Sequence, residues 1–399
     1  MKITIVDINY ISLSLAVVLA RKHEVWITDS SVKKITDVNL HKCPFSNPSI
    51  SRILSKEKPN LNATIDLQKA CENSDFIVVC TPTTFNTEID YFDTNSLNNS
   101  IKRVLKYSNN VPVIIRATVP VGYTEKMNEK YKTDRLIFYP EFIREKSPVR
   151  DILYPSRIVV GANKSSKEMQ KKTKEFIDII KASALKKNIT SIIMSTTEAE
   201  TTKLFVNTYI AMRIAFFNDL DTFAEVRNME TKKILKGICS DPVMGKDVED
   251  YGFGYGACYL PKGMRNNFID YEYKNKKSTT VIADSAKSRV DFINDILNKN
   301  DNMTVGIYML SKYKKFDCLK KYDIEGIIKS LIIRGKKVVI YDPTLKDYEF
   351  CGARVIKGLD NFKEMSDVII SEKVIDEFIG VSEKIFTPDA YIKIYEMNN

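Results

Sequence analysis

The sequence predicts an α/β protein: two doubly wound units of parallel strands wrapped by helices, joined by one long helix. Three observations predict it. Over the first 190 residues, short β-rich runs alternate with helical patterns, and those runs are continuously apolar. Strands of that kind belong in a parallel sheet covered on both faces, because neither face meets water. A helical pattern then extends from about Thr196 to Asn228 with no Pro or Gly inside, and the alternation resumes near Met303.

Lys2–Val6 reads as a strand and Ser12–Lys22 as a helix bearing Leu13, Leu15, Ala16 and Leu19. Glu24–Thr28 is a second strand, ending at Asp29. Asp75–Cys80, Val111–Arg116, Arg135–Phe138 and Ser156–Val160 read as further strands, and their crossovers are expected to be right-handed. The long helix carries Leu204, Phe205, Ile210, Ala211, Ile214, Leu220 and Phe223. A helix of that length bridges domains or packs on a second subunit. The smaller unit comprises strand Thr304–Met309, helix Asp323–Arg334, and strands Lys337–Tyr341 and Asp367–Ile370.

Composition narrows the function. Of 399 residues 44% are apolar and 28% charged, an ordinary globular balance with enough chain for a large core. Lys and Arg number 61 against 51 Asp and Glu, for a net charge of +10. The basic residues are scattered and no aromatics interleave with them, which disfavours nucleic acid and suits a small anionic ligand. The seven cysteines include no C-x-x-C pair, so neither a disulfide framework nor a metal site is expected, and a reducing cytoplasm fits. The two histidines, His23 and His41, sit in a poor setting for catalysis. Asp7 and Asn9 interrupt the apolar N-terminal stretch, so it is not expected to be a signal peptide. No apolar run approaches the ~20 residues of a membrane span. The 14 glycines are about half the usual ~7% share.

That shortage matters at the first strand–helix junction. A dinucleotide fold presents G-x-G-x-x-G there, yet Val6-Asp-Ile-Asn-Tyr-Ile-Ser12 holds no glycine. Asn9 can adopt a left-handed conformation, Ser12 is small, and Asp7 puts a carboxylate where a diphosphate would meet the helix end. Like charges in such a cleft cost on the order of two decades in affinity. The plainer reading is that Asp7 or Asn9 caps the helix. Asp29, about 20 residues on, stands where an acid would hold a ribose hydroxyl. Far along the chain, Asp250–Gly263 gathers four of the 14 glycines among aromatic residues, as a binding loop would.

Several segments carry a resemblance. They are Tyr91-Phe-Asp-Thr94, Val119-Pro-Val-Gly-Tyr-Thr-Glu125, Tyr139-Pro-Glu-Phe-Ile-Arg-Glu145, Leu153-Tyr-Pro-Ser-Arg-Ile-Val159, Thr197-Glu-Ala-Glu-Thr-Thr-Lys-Leu-Phe-Val-Asn-Thr208 and Phe217-Asn-Asp-Leu-Asp-Thr-Phe-Ala-Glu225. Gly252-Phe-Gly-Tyr-Gly256, Leu260-Pro-Lys262, Ile340-Tyr-Asp-Pro343 and Ser366-Asp-Val-Ile-Ile-Ser371 follow in order. Over nearly its whole length the chain resembles the UDP-glucose 6-dehydrogenase family. The resemblance implies two Rossmann-like domains joined by a long central helix: an NAD-type domain at 1–190, a helical dimerisation region with the substrate loop at 191–295, and a UDP-binding domain at 296–399. It also implies a homodimer built on that helix. The implied chemistry oxidises the C6 alcohol of UDP-glucose to UDP-glucuronate with two NAD+, through a cysteine thiohemiacetal and thioester. A thiolate divides the four-electron oxidation into steps, and a lysine and an asparagine stabilise the oxyanion.

Carried onto this chain, the resemblance implies Lys203 and Asn207 as the oxyanion pair, four residues apart on one helix face. It implies Thr118, Glu141 and Glu145 on the sugar and water side, with Thr83 and Thr118 touching the cofactor. Phe253, Gly254, Tyr255, Gly256 and Lys262 would contact substrate together with Glu141, Lys203 and Asn207.

The departures fall on chemistry. The family reads G-G-Y-C-L-P-K-D at its nucleophile; this chain reads Gly256-Ala-Cys-Tyr-Leu-Pro-Lys-Gly263. Tyr259 holds the nucleophile's position and Cys258 lies one residue early, a Cα displacement of about 3.8 Å. A nucleophile misplaced by ~1 Å can lose about 100-fold. Ala257 replaces a glycine, Gly263 an aspartate, Val243 the arginine of D-P-R, Asp317 the arginine of F-R, and Ala117 a hydroxyl residue. Asp7, Asn9 and Ser12 replace the three turn glycines. The pattern points to a pseudoenzyme that has lost NAD-dependent turnover and keeps a UDP-sugar. An active UDP-glucose 6-dehydrogenase and a structural dimer partner without ligand are the competing readings.

Overall fold

The structure, a computed structural model, describes residues 1–86, 91–108, 110–144, 147–227, 229–241, 303–308, 328–343, 345, 347–371 and 376–386. The chain divides into two compact units, Met1–Val206 and Asn207–Asn399.

The first unit opens with β1 (Lys2–Val6), α1 (Tyr10–Leu19), β2 (Glu24–Thr28), α2 (Val32–Asn39), α3 (Pro48–Glu57) and β3 (Leu61–Thr64). It continues with α4 (Leu67–Cys71), β4 (Phe76–Val79), the hairpin strands β5 (Thr84–Asn86) and β6 (Tyr91–Asp93), α5 (Asn95–Tyr107) and β7 (Val113–Ile115). Then come α6 (Tyr123–Tyr131), β8 (Leu136–Phe138), α7 (Pro148–Leu153), β9 (Ile158–Gly161), α8 (Lys167–Ser183) and β10 (Ser191–Met194). The long helix α9 (Thr196–Val226) begins in this unit and runs on into the second.

Eight strands form one sheet in the order β10-β9-β8-β7-β4-β1-β2-β3. From β3 to β8 every pairing is parallel. Side chains alternate across the sheet with period two. Phe76 and Val78 of β4 enter one apolar layer with Leu13 and Val17 of α1 and Phe176 of α8. Ile77 and Val79 enter the opposite layer with Leu97, Ile101 and Val104 of α5 and Met127 of α6. Both faces are covered, which is why these strands are apolar throughout. The wholly parallel sheet expected from the sequence stops at β8: β9 pairs with it antiparallel at Phe138↔Gly161, and β10 lies parallel to β9. The six-residue α7 lies in the connection from β8 to β9, and the 17-residue α8 carries the chain from β9 to β10.

Helix α9 starts on a capping box. Glu198 Oε2 accepts from Ser195 N at 2.7 Å, and Ser195 Oγ accepts from Glu198 N at 3.2 Å. Gly161 lets this start lie directly on β9. A Cβ at 161 would stand 2.7 Å from Thr196 Cα and 2.8 Å from Ala199 Cβ.

The second unit continues with α10 (Thr231–Cys239), β11 (Thr304–Tyr308), β12 (Lys337–Tyr341), β13 (Glu349–Phe350), β14 (Ala353–Val355), α11 (Leu359–Met365), β15 (Val368–Ile370) and β16 (Ile385–Phe386). Its six strands are ordered β13-β14-β12-β11-β15-β16, parallel except at β13. Val305 and Ile307 pack on one side with Leu331 and Ile340. Tyr308, Val339 and Phe362 pack on the other. Residues 328–333 are helical, within the helix expected at Asp323–Arg334. No helix among the described residues is long and apolar enough to cross a membrane.

Candidate functional site

In an open parallel sheet, ligands bind beyond the carboxyl ends of the strands, where strand order reverses. Here the reversal lies between β1 and β4, so Asp7 and the residues after Val79 form its rim.

Asp7 occupies the left-handed region, with φ +70°. Thr81 Oγ1 donates a short hydrogen bond to Asp7 Oδ2, spanning the two strand ends, and also contacts Ser100 Oγ at 2.8 Å. Asn9 is extended at φ −142° and caps α1. Its Oδ1 accepts from Ile11 N and Ser12 N, both at 3.0 Å, and its Nδ2 donates to Cys80 O at 2.8 Å. Ser12 Oγ completes the capping box by accepting from Asn9 N at 2.8 Å. The first amides of α1 are thus taken by the turn's own side chains. Burial raises the pKa of Asp7, and neighbouring Asp29 adds to the rise, against the hydrogen bond from Thr81 and the charges of Lys34 and Arg103.

Asp29, buried just beyond β2, accepts from Ile8 N and Ser31 N, each at 2.8 Å. Lys34 Nζ lies 2.9 Å from its Oδ2 and donates to Ile8 O at 2.8 Å. Burial would raise the Asp29 pKa, but those two amides and Lys34 outweigh it and the pKa falls. Lys34 was not among the sequence candidates. Its signal is a basic residue one turn past the strand-end acid.

A second cluster links four sequence candidates. Thr83 Oγ1 donates to Thr118 O at 2.6 Å, and Thr118 Oγ1 donates to Glu141 Oε1 at 2.9 Å. Lys203 Nζ donates to Glu141 O at 2.5 Å and lies 3.3 Å from Oε1. Glu141 is 6% exposed, and its Oε2 has no hydrogen-bond partner. Burial pushes its pKa up, but Lys203, its own backbone amide, Arg116 and Thr118 reverse the sign and hold the carboxyl below its usual value. Arg116 is itself buried, its guanidinium 4.3 Å from the Tyr139 ring centre, with Nε and Nη1 unpartnered. Phe142 lies beneath Lys203, 5.5 Å from Nζ to the ring centre. The result is an ionised carboxylate bonded through one oxygen, with its other oxygen buried and unpartnered and so able to accept one further hydrogen bond.

Asn207 follows on α9 and is buried. Glu145, Phe253, Gly254, Tyr255, Gly256, Cys258, Tyr259, Lys262 and Gly263 lie outside the described residues, as do Val243, Ala257 and Asp317. Among the described residues, no group of three or more His, Cys, Asp or Glu is arranged to hold a metal.

Six parallel strands in this order, polar groups gathered at the point of reversal, and a second sheet built on the same plan define an α/β protein of the dinucleotide-fold class. Profiles described as the UDP-glucose/GDP-mannose dehydrogenase family NAD binding domain and central domain match residues 1–181 and 197–302. The chain is 36% identical over 391 residues to UDP-glucose 6-dehydrogenase of Streptococcus pneumoniae, covering 98% of this chain and 99% of that one. It is 33% identical over 395 residues to the Campylobacter jejuni protein of the same name, with the same coverage. This chain belongs to the UDP-glucose/GDP-mannose dehydrogenase family. A UDP-glucose dehydrogenase structure from Pyrobaculum islandicum superposes with TM-score 0.78 at 18% identity, covering 98% of this chain and 95% of that one. UDP-D-ManNAc dehydrogenase from Pyrococcus horikoshii gives 0.77 at 18% identity, covering 97% and 94%. At those identities the likeness is one of fold.

Proposed function

We propose that this chain is a non-catalytic member of its family that binds a UDP-sugar and does not turn over NAD. One observation carries the reading: the turn that would receive the cofactor is closed on itself. NAD is the cofactor the family implies, and its diphosphate needs free amides at the start of α1 and no negative charge beside them. In this chain Asn9 takes the amides of Ile11 and Ser12, while Asp7 brings a carboxylate into the turn. The turn does not fit a diphosphate. The nucleophile segment supports the same reading from sequence, with Tyr259 in the thiol's place and Gly263 in the aspartate's.

The sugar side favours binding. Glu141 has one buried oxygen left without a hydrogen-bond partner, and Thr118 and Lys203 fix the other. That network also supports a second reading, an active UDP-glucose 6-dehydrogenase, because it contains three of the residues the family uses for chemistry. The reading includes a homodimer. Phe205, Tyr209, Met212, Phe216 and Phe223 are exposed on α9 at intervals of three, four and seven residues, an apolar stripe on one helix face that a second copy would cover. The division at residues 190 and 295 and a cytoplasmic location belong to the same reading.

Two measurements test it. No NADH forms from UDP-glucose and NAD+ above a blank without protein; measurable formation overturns the non-catalytic reading. Calorimetry with UDP-glucose gives saturable heat; its absence at millimolar ligand leaves a structural role.

A further inference from the structure

Glu200 is 2% exposed on α9 and has no part in the chemistry the family resemblance implies. Its carboxylate reaches across to another helix. Oε2 accepts from Gly122 N at 2.6 Å, and Oε1 accepts from Thr124 N at 2.8 Å and Thr124 Oγ1 at 2.6 Å. Gly122 is the N-cap of α6, stands at φ +83°, and has no side chain with which to cap. Glu200 therefore supplies from α9 the acceptor that α6 lacks, and a carboxylate suits that helix end.

These bonds belong to a closed circuit. Gly122 ends the short segment that begins at Thr118. Thr118 holds Glu141 Oε1, Lys203 holds the same oxygen and the Glu141 carbonyl, and Lys203 lies one turn beyond Glu200 on α9. One helix thus grips the site at two points about 4.5 Å apart along its axis, one on the Thr118 segment and one on Glu141.

We propose that Glu200 is a positioning residue of this site: by clasping the start of α6 to α9 it sets where Thr118 and Lys203 meet Glu141. The role extends the assignment of Glu141 and Lys203 to the ligand site. A simple helix cap would hold Gly122 and Thr124 and nothing further. A clasp also governs how tightly Lys203 is held, two links away. Burial raises the Glu200 pKa to about 7, which marks this carboxylate as one held in place by geometry at a cost in solvation.

Pulse labelling with an amine-reactive reagent, read residue by residue by mass spectrometry, separates the two roles. In Glu200→Ala, labelling of Lys203 is expected to rise about tenfold relative to the exposed Lys164, the effect of losing charge-assisted hydrogen bonds worth ~1.5 kcal/mol. Glu200→Gln keeps the shape, accepts from one amide and can donate to the Thr124 hydroxyl, and is expected to bring Lys203 back toward wild type. Unchanged Lys203 labelling in Glu200→Ala, alongside faster amide exchange at Gly122 and Thr124, overturns the proposal and leaves a local cap. Should Glu200→Ala fail to fold, Thr124→Ala removes only the hydroxyl contact; a part-way rise at Lys203 supports the clasp and no rise refutes it. Labelling needs no ligand. A wild-type protein that takes up no UDP-glucose would defeat the proposed function and leave this result standing.

Discussion

Replacing Asp7 by glycine and by alanine should reverse the usual stability order of those two residues. Alanine is normally the better residue, because glycine has more freedom to lose on folding. Asp7 stands at φ +70°, where a Cβ costs about 1–2 kcal/mol and glycine escapes that cost. Both variants lose the hydrogen bond from Thr81, worth about 1 kcal/mol, and in both Thr81 keeps its contact with Ser100. The shared loss cancels in the comparison. What remains is the backbone difference, so Asp7→Gly should exceed Asp7→Ala by about 1 kcal/mol. Urea unfolding followed through Trp26 reads this directly, since the chain has a single tryptophan and it lies on β2 beside β1. A midpoint for Asp7→Ala equal to or above that of Asp7→Gly would refute the left-handed turn at position 7. If the order holds, Asp7→Gly combined with Asn9→Gly should gain on the order of two decades in NAD+ affinity, the estimated cost of the carboxylate in the turn.

Other expectations are independent of that one. Glu200 has a folded pKa of about 7 against 4.5 for the free group, so the stability it lends when protonated is full below pH 4.5 and is lost as pH rises to 7. Glu200→Gln should remove that slope, worth about 3 kcal/mol, seen as urea midpoints that converge with wild type at pH 4.5 and exceed it at pH 8. Glu141 has the opposite sign: its depressed pKa gives stability above its ordinary value of 4.5 that is lost on acidification. Lys203→Met strands that carboxylate without its principal cation and should cost about 3 kcal/mol at pH 8 by urea unfolding, with a smaller loss at acid pH. Phe216→Glu together with Tyr209→Glu places charge in the exposed stripe of α9 and should convert a dimer to monomer by light scattering; a monomeric wild type sinks the dimer reading. Asn9→Ala removes the cap of α1 and the donor to Cys80 O, and should lower stability by about 2 kcal/mol in thermal or urea unfolding.

Much of this architecture is legible in the residues because burial on both faces leaves a mark on composition. Phe76–Val79 is apolar throughout for that reason, and the sequence strand Asp75–Cys80 brackets it to within a residue at each end. The start of α9 is legible too, since Ser195 and Glu198 stand at capping-box spacing. Strand direction is not. Ile158–Gly161 looks like its neighbours in sequence, yet it runs antiparallel to β8. The turn after β1 is instructive at residue level. Sequence reasoning gave the capacity for a left-handed backbone to Asn9, whereas the structure puts it at Asp7. Asn9 has to stay extended so that its side chain can turn back onto the amides of α1, and the chain reverses one step earlier. The circuit of Thr83, Thr118, Glu141 and Lys203 joins segments up to 120 positions apart (83 to 203), and spacing carries no trace of such contacts. Glu200 could have been found, because its three-residue offset from Lys203 puts both on neighbouring turns of one face.

Among the described residues, left-handed backbone is carried mainly by residues other than glycine. Among the described residues, Asp7, His41, Lys58, Asn73, Asn110, Lys132, Asn188 and Cys351 take positive φ, against four glycines that do. Each of those eight side chains narrows the conformations open to the unfolded chain at that point, so less entropy is surrendered when it folds. In return the folded backbone carries a little strain at each position. Across the described residues, scarce glycine is therefore a thermodynamic trait: a stiffer denatured ensemble exchanged for a more strained native one. The altered turn at residue 7 is one local instance of it.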